Sequence, residues 1–325
     1  MRAWRTIAVG EPRDVMQQTE TELEPIGPGE LRIRVAAAGL GFPDVLMCRG
    51  TYPLTPPLPF TSGQEFVGTV AEAGPGVTAP VGARLMGVSS FMAGRGSFAE
   101  ECKTYEMMTF PAPATIPDAD AASFTIAYHT GYIALARRAK LAEGETLLVH
   151  GGAGGTGFAA IQLGKALGAK VIATAGGADK AAFCRDLGAD LVVDNSREDF
   201  VAAVNAETGG RGADVVFDPV GGELFERSVN CVALEGRLLP IGFACGRWGV
   251  VSPETLALKN IAMVGALGGG FDRAYMLSVH QKLMELYAKG AIRPVIDRRI
   301  GFSEIRDGVQ ALADRKVRGR AVAVY

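Results

Sequence analysis

A glycine-rich stretch in the middle of the chain constrains the fold more than any other feature. The apolar run 146–149 leads into closely spaced glycines and then into a helical pattern at 155–167. Gly152, Gly154 and Gly157 match G-x-G-x-x-G, in which the glycines permit a tight turn, close approach of a ligand and close packing of helix on strand. Because such a turn presents backbone N–H groups at a helix N-terminus, the stretch predicts a pyrophosphate site.

The sequence after the glycines supports this interpretation. A glycine-rich hairpin also fits the motif alone, but it leaves the following alternation of strands and helices unexplained. That alternation is typical of a mainly parallel, doubly wound sheet covered on both faces. The predicted helices are 155–167, 178–187, 199–208 and 222–233, and the predicted strands are 170–174, 191–194, 214–218, 236–241 and 261–267.

The rest of the chain predicts a second, β-rich domain. Short alternating apolar stretches fill residues 1–122, a helical pattern at 121–139 leads towards the glycines, and a further helix is predicted at 276–289. The terminal strand 321–325 has the right size to rejoin the first domain. The predicted domains are 1–122 with 268–325, and 123–267.

Composition excludes several functions. The 325 residues include 33 basic and 35 acidic ones, with a formal net charge of -2, so nucleic acid is not an expected partner. The five cysteines contain no C-x-x-C, which indicates free thiols in a reducing compartment. Without a signal peptide or an apolar run of about 18 residues, we expect a cytoplasmic protein with no membrane association.

Several motifs together resemble one family. The chain resembles the medium-chain dehydrogenase/reductase superfamily, most closely its zinc-independent quinone oxidoreductases, which include zeta-crystallin, and it is similar also to the 2-enoyl thioester reductases. The resemblance implies a GroES-like β-rich catalytic domain and a Rossmann domain. The motifs are Gly-Gln-Glu-Phe-Val-Gly at 63–68, Gly-Ser-Phe-Ala-Glu at 96–100, Thr-Gly-Tyr at 130–132, the glycine-rich stretch 149–157, and the segments 39–44 and 50–53.

The positions of the zinc ligands differ from those of zinc-dependent relatives. Aligned on the family, Gly41, Gln64 and approximately Ile126 stand where those relatives place their ligands. None of the three offers a thiolate or an imidazole, and an open catalytic zinc site needs three protein ligands. We therefore expect no metal.

The end of the second strand bears on the choice of cofactor. NAD-specific sites place an acid there, whereas NADP sites offer a cation to the 2′-phosphate. The tip at 174–177 has no acid, and Asp179 reads as a helix-capping carboxylate. Lys180 matches the lysine of quinone reductases that binds the 2′-phosphate. Without the missing acid, the same lysine would more simply be a solvated surface charge. Asn195 replaces a Tyr or His of relatives, with Arg197 close by, and on balance we expect NADPH.

The remaining cofactor contacts come from strand ends. Ligands in such sheets lie outside the carboxyl ends of the strands, and the resemblance implies that Gly242 and Phe243 border the nicotinamide. The glycines also fit ordinary left-handed turns. The predicted cofactor-binding residues are Thr130, Gly152, Gly154, Gly155, Thr156, Gly157, Gly176, Lys180, Asn195, Gly242 and Phe243.

Three polar residues are the predicted catalytic group. The resemblance places Tyr52 where enoyl reductases have a proton-donating tyrosine, but an aromatic packed beside Pro53 fits equally well. The resemblance also implies that Asp44 and Gln64 lie near the nicotinamide, although Asp44 fits the cap of a short helix just as well. Glu65 reads as a structural acid. The chain has three histidines, and each reads as structural: His129, His150 and His280.

The predicted function is an NADPH-dependent, zinc-independent reductase that transfers hydride to a quinone or a related α,β-unsaturated carbonyl. One alternative is a 2-enoyl thioester reductase with Tyr52 as proton donor. Another is an NADPH-binding sensor or structural protein with little turnover, because fold does not fix function. The resemblance implies a homodimer. The slot for the acceptor is expected to draw on loops 88–96 and 243–256, and 268–270 fits either a mobile lid or a turn.

Overall fold

A computed structural model describes residues 1–325. It contains sixteen strands. They are β1 (Arg2–Thr6), β2 (Met16–Glu20), β3 (Glu30–Leu40), β4 (Phe60–Thr61), β5 (Glu65–Ala73), β6 (Arg84–Val88), β7 (Glu101–Tyr105), β8 (Thr109–Pro111), β9 (Thr146–Val149), β10 (Lys170–Ala175), β11 (Leu191–Asp194), β12 (Ala213–Asp218), β13 (Val232–Pro240), β14 (Ala262–Met263), β15 (Ile296–Gly301) and β16 (Arg320–Val324).

Eleven α-helices connect or cover these strands, and none is long and apolar enough to cross a membrane. They are α1 (Pro12–Val15), α2 (Phe42–Cys48), α3 (Asp118–Ala121), α4 (Thr130–Tyr132), α5 (Gly155–Ala166), α6 (Ala178–Asp186), α7 (Phe200–Glu207), α8 (Gly222–Arg227), α9 (Pro253–Lys259), α10 (Arg273–Ala288) and α11 (Ile305–Ala313).

The first compact unit comprises Met1–Ile126 and Pro294–Tyr325. Its larger sheet has the order β15-β16-β3-β5-β6-β8, with β7 also paired to β3, and its smaller sheet has the order β2-β1-β4. The long strand β3 is central because β16, β5 and β7 all pair with it antiparallel. Its buried Leu31 and Ile33 belong to a core that also includes Val309 of α11. The prediction of a β-rich domain is confirmed.

The second compact unit comprises Ala127–Arg293. Its sheet has the order β11-β10-β9-β12-β13-β14, and every pairing in it is parallel. All four residues of β9 are buried, as a parallel strand covered on both faces requires. The predicted doubly wound sheet is confirmed, and its central strand leads directly into the glycine-rich loop.

Several predicted bounds were wrong. Strand β14 has two residues instead of the predicted 261–267. The predicted helix 222–233 ends with α8 and a short 3-10 helix at Ser228–Asn230, because the chain from Val232 pairs with β12 instead. The predicted helix 121–139 is divided into α3, α4 and two π-helical segments, Thr125–His129 and Ile133–Arg138.

The boundary between the units also differs from the predicted one at 268. The segment up to Arg293, including α10, belongs to the second unit. Long-range bonds tie it there: His280 lies 3.2 Å from His129, nitrogen to nitrogen, and Arg293 N donates to Gln162 Oε1 at 2.9 Å. Helix α10 thus packs within the second compact unit, whereas the predicted domains grouped 268–325 with the first.

Candidate active site

The glycine-rich loop of the second unit has no room for side chains at two of its glycines. A Cβ on Gly157 would lie 2.2 Å from Gly151 O, and one on Gly152 would lie 2.8 Å from Cys184 Sγ. Helix α5 begins immediately after the exposed Gly154, and no side chain caps its N-terminus. Its first backbone N–H groups, at Gly155 and Thr156, therefore form the kind of uncapped helix start that suits a phosphate group.

A buried polar network lies behind this loop. His150 Nδ1 lies 3.0 Å from Thr174 Oγ1, and its Nε2 lies 2.9 Å from Ser228 Oγ. The Ser228 hydroxyl donates to Leu224 O at 2.9 Å, so Nε2 carries the proton and Nδ1 accepts from Thr174. Burial lowers the pKa of His150 to about 3. This histidine is a neutral structural connection between the glycine-rich loop, β10 and α8.

The tips of β10 and β11 hold three further predicted cofactor residues. A Cβ on Gly176 would lie 3.6 Å from Asn195 Oδ1, so the glycine and the Asn195 side chain are adjacent. Lys180 lies half-buried in the first turn of α6. Sequence reasoning missed Asp194, whose Oδ1 accepts from Gly177 N at 2.8 Å and from Ser196 Oγ at 2.6 Å.

Asp194 has a clear structural effect on this tip. Its hydrogen bonds with Ser196 and with Gly177 N hold the pKa of its carboxyl below the usual range. The acid therefore orders the turn before α6 from the neighbouring strand. The aspartate two residues before a serine at a strand end is typical of a local turn bonded by the side chain, and that pattern was the signal that could have identified it.

The ends of β12 and β13 form a second ordered edge. Buried Asp218 accepts from Val220 N at 2.6 Å, and burial raises its pKa to about 6. A Cβ on Gly242 would lie 3.0 Å from Pro219 O, so the loops after the two strands are closely packed. Phe243 follows with only 7% of its surface exposed. Both predicted nicotinamide-side residues thus lie at the carboxyl edge of the sheet.

Thr130, the next predicted cofactor residue, lies on a short helix that packs against α5. It begins α4 and is half-buried. The following Gly131 approaches α5 so closely that a Cβ would lie 2.7 Å from Leu163 Cδ1. The Tyr128 hydroxyl donates to Gln162 Oε1 at 2.6 Å. Helix α4 is therefore fixed against the helix that follows the glycine-rich loop.

In the first unit, Asp44 organises the predicted catalytic group. Its Oδ2 accepts from Gly41 N at 2.8 Å and its Oδ1 from Gly63 N at 3.1 Å. The first bond caps the N-terminus of α2, which is one of the two roles predicted for Asp44. The second bond holds the chain beside Gln64. Burial raises the pKa of Asp44 to about 6, against the opposing effects of these bonds and of Arg320.

Tyr52 and Gln64 lie next to each other in this group. The Tyr52 side chain packs in a small apolar cluster with Met47, Phe60 and Phe91. Burial raises the pKa of the Tyr52 phenol, and its interaction with Gln64 opposes that shift. The Nε2 of Gln64 is buried and makes no hydrogen bond of ordinary length and angle, although the amide lies close enough to the Tyr52 oxygen to act on its pKa. A buried amide donor without an acceptor is costly for a folded protein, so this position is suited to an oxygen atom of a ligand.

A buried ion pair supports the group from behind. Arg320 of the terminal strand pairs with Glu65, and Ile126 N donates to the same carboxylate at 2.9 Å. Burial raises the pKa of Glu65 to about 7, while the Arg320 charge opposes it. Arg320 also lies near Gly41, 3.9 Å from the place of a Cβ there. Glu65 is thus a structural acid, as predicted.

This arrangement brings together the three positions aligned with zinc ligands. Gly41 is bonded to Asp44, Gln64 precedes Glu65, and Ile126 is bonded to Glu65. None of the three supplies a metal ligand, and no group of three or more His, Cys, Asp or Glu side chains in the structure is arranged to hold a metal ion. The donor set therefore does not fit catalytic zinc.

Comparisons with known proteins agree with the fold of each unit. The family described as alcohol dehydrogenase GroES-like domain matches residues 27–114, and the family described as zinc-binding dehydrogenase matches residues 155–287. The chain is 35% identical to the quinone oxidoreductase-like protein 2 of Mus musculus over 326 residues, which cover 99% of this chain and 92% of that protein. It is 32% identical to a homolog of that protein from Nematostella vectensis, over 97% of this chain and 86% of the homolog.

Two solved structures share the whole fold. A mycobacterial protein complexed with NADPH matches with a TM-score of 0.92 and 30% identity, covering 100% of both chains. The Escherichia coli quinone oxidoreductase complexed with NADPH matches with a TM-score of 0.90 and 27% identity, again over 100% of both chains. On the fold, the site and these relatives, the chain belongs to the medium-chain dehydrogenase/reductase superfamily of oxidoreductases, in its quinone oxidoreductase-like branch.

Proposed function

We propose that this protein is an NADPH-dependent reductase that transfers hydride to a quinone or a related α,β-unsaturated carbonyl without zinc. The observation that carries the proposal is the buried, unpartnered Nε2 of Gln64 beside the Tyr52 phenol. A reducible carbonyl oxygen gains negative charge during hydride transfer, and a fixed donor in a dry site stabilises that charge. The position otherwise used for a zinc ligand thus offers an amide donor.

The cofactor part of the proposal rests on the second unit. The uncapped start of α5 suits a pyrophosphate. Lys180 in the first turn of α6 and Asn195 after β11, adjacent to Gly176, are the proposed contacts of a 2′-phosphate. Both solved relatives described above were complexed with NADPH. When bound, NADPH supplies the hydride. The amide of Gln64 and the phenol of Tyr52 orient the acceptor oxygen, and that oxygen takes its proton from Tyr52 or from solvent.

The direct test measures NADPH oxidation with two acceptors in parallel, a simple quinone and a short trans-2-enoyl thioester, after exhaustive chelation. We expect turnover of the quinone to survive chelation. Turnover of the thioester alone would favour the alternative reductase, and loss of activity with chelation would contradict the metal-free proposal. Tight NADPH binding with neither acceptor reduced would favour the sensor or structural alternative.

Lys180→Ala tests the 2′-phosphate contact. We expect the KM for NADPH to rise roughly tenfold or more, because a charge-assisted contact to the phosphate is lost. The KM for NADH, which lacks that phosphate, should change by less than about twofold. Lys259→Ala, an exposed lysine of the last turn of α9, is the matched control. Equal effects of Lys180→Ala on both cofactors would remove Lys180 from the site.

Tyr52→Phe tests the proton donor. If the phenol is the general acid for an enoyl thioester, kcat with that acceptor should fall roughly 10²-fold. Quinone turnover should fall less, because solvent can protonate the hydroquinone oxyanion. Tyr105→Phe, at an exposed tyrosine of the same unit, is the control. An unchanged kcat with the thioester would exclude Tyr52 from proton donation.

The proposal extends to assembly and location. Strand β14 is the exposed edge of the parallel sheet, and Met263 and nearby Leu258 are exposed there, which suits pairing of two copies along this edge. All five cysteines are free, which suits the cytoplasm. A monomeric species by sedimentation at micromolar concentration would contradict the homodimer.

A further inference from the structure

A cavity of about 200 Å³ lies within the second unit, beside helix α10. Its lining residues come from two segments, 132–137 at and after α4, and 275–282 in α10. We call it the α10 cavity. No residue predicted to bind the cofactor or to act in catalysis lines it, so neither the proposed cofactor site nor the proposed catalytic group accounts for it.

The charged residues of the α10 cavity are all cations. Arg137 and Lys282 line it, and no acidic residue does. Both side chains are exposed, and neither forms an ion pair with an acid of the chain. Glu285, which follows Lys282 by three residues, accepts from Gln281 Nε2 at 3.3 Å instead. Two positive charges at one cavity without acidic partners attract an anion.

Arg137 is positioned by an aromatic ring. Its guanidinium carbon lies 5.6 Å from the centroid of the Tyr275 ring, which is within the range of a cation–π interaction. The Tyr275 ring packs in turn against Phe271, with 5.0 Å between centroids. A guanidinium held in this way keeps its N–H donors for a ligand, and its binding costs less conformational entropy.

The rest of the lining is mainly apolar or aromatic. Val279 is buried, and Ala136, Tyr132 and Tyr275 are half-buried. An inorganic ion alone would leave this surface in contact with water, whereas a ring attached to the anionic group would cover it. The volume is below the roughly 300–1,000 Å³ of sites for drug-sized ligands. A molecule with a single ring is therefore the size that fits.

The two segments that form the α10 cavity are held together by a buried contact. His129 Nε2 lies 3.2 Å from His280 Nδ1, and both residues are buried. His280 follows Val279 directly, so this contact adjoins the lining. The segment Ile133–Arg138 is π-helical, a geometry that occurs frequently at functional sites. The cavity is therefore formed by the fold and does not have to be opened by a ligand.

We propose that the α10 cavity binds a small aromatic anion. Its phosphate monoester or carboxylate group contacts Arg137 and Lys282, and its single ring contacts Tyr132 and Tyr275. Arginine offers paired donors that match either anionic group, and lysine adds a point charge. The ring gains from burial against aromatic side chains. This site is separate from the proposed reductase site, and its occupation does not depend on that activity.

A ¹⁹F NMR titration tests the ligand class. 4-Fluorophenyl phosphate and 4-fluorobenzoate are each added to protein saturated with NADP⁺, so that the glycine-rich loop is already occupied. At least one anion should bind saturably, with a Kd of about 1 mM or below, and the tighter one identifies the anionic group. Neutral 4-fluorobenzyl alcohol should bind at least about tenfold more weakly. No saturation by either anion below about 10 mM, or equal affinity for the alcohol, would overturn the proposal.

Substitutions of exposed side chains locate the binding site. Arg137→Ala and Lys282→Ala should each raise the Kd of the tighter anion about tenfold, and Arg137→Lys should raise it less. Lys289→Ala, at an exposed lysine that ends the same helix outside the lining, is the matched control and should change the Kd less than about twofold. Wild-type affinity in both alanine variants of the cavity would overturn the proposal, as would an equal loss in Lys289→Ala. Unfolding midpoints by circular dichroism verify that each variant is folded.

Discussion

The glycine-rich loop of the second unit offers backbone groups to a ligand, whereas the polar cluster of the first unit offers side chains. The loop uses one continuous stretch, 146–157, and its groups for a ligand are backbone N–H groups. The cluster around Gln64 uses side chains from distant parts of the chain, with Asp44 before it and Arg320 near the C-terminus. Backbone groups need only a turn and small residues, whereas side-chain groups need a folded domain to bring them together.

This difference determines which kind of substitution destabilises each region. The loop is sensitive to added bulk, because a single methyl group at Gly157 would clash with backbone atoms. The cluster is sensitive to the loss of a charge, because Glu65 and Arg320 form a buried ion pair and have few alternative partners. Substitutions that target each risk separately should therefore break the two regions in different ways.

The largest effect is expected for Glu65→Gln. The substitution leaves the Arg320 guanidinium buried without its carboxylate partner, and removing one member of a buried pair typically costs about 3–5 kcal/mol. Urea denaturation at about pH 8.5, above the raised pKa of Glu65 so that its carboxyl is ionised in the wild type, measures the loss by circular dichroism. The matched control is Glu100→Gln, because the Arg2–Glu100 pair is exposed on both sides and should contribute less than about 1 kcal/mol. Similar losses for the two variants would show that Glu65 is not a structural anchor.

The sequence predicted the two regions unequally. The glycine-rich loop and the strands on either side follow from a local pattern, and the predicted strand 191–194 matches β11. The polar cluster was assigned only through the resemblance, since no local pattern relates Asp44 to Gly63 or Glu65 to Arg320. Pairings across such sequence distances depend on the fold of the whole domain.

The missed features have the same origin. The packing of helix α10 in the second unit was not evident from the sequence, because it depends on His280 contacting His129, far away in sequence. Strand β14 was predicted too long, since an apolar run at a sheet edge has only one neighbour to pair with. The α10 cavity had no motif to mark it, because its lining comes from two segments far apart in sequence.

In the glycine-rich loop, a steric clash should lower both the stability of the fold and the affinity for NADPH. Gly157→Ala places a methyl group 2.2 Å from Gly151 O, so the loop must shift, and we expect a loss of about 3 kcal/mol, near the upper end for overpacking. The Kd for NADPH should rise more than about tenfold by calorimetry, because the start of α5 moves with the loop. Gly265→Ala, where no atom lies within 4 Å of the added Cβ, is the control. Wild-type affinity in Gly157→Ala would show that the loop does not hold the cofactor.

The smallest expected effect contrasts the pH dependence of the two regions. Burial raises the pKa of Asp44 to about 6 and that of Glu65 to about 7. The folded state therefore binds more protons than the unfolded chain, and the first unit loses stability as pH rises through these values. Burial lowers the pKa of His150 from 6.5 to about 3. The stability that His150 contributes is present above pH 6.5 and is lost as pH falls, with opposite sign.

His150→Asn isolates that contribution. Between pH 7 and pH 5, wild type should lose about 2 kcal/mol through this histidine, since each pKa unit corresponds to about 1.4 kcal/mol. The variant should lack that part of the pH dependence, although it is less stable at pH 7 because hydrogen bonds to Thr174 and Ser228 are weakened. Urea midpoints at both pH values give the difference between the two proteins directly, so the contributions of Asp44 and Glu65 cancel. Parallel changes in both proteins would show that His150 does not link the glycine-rich loop to acid stability.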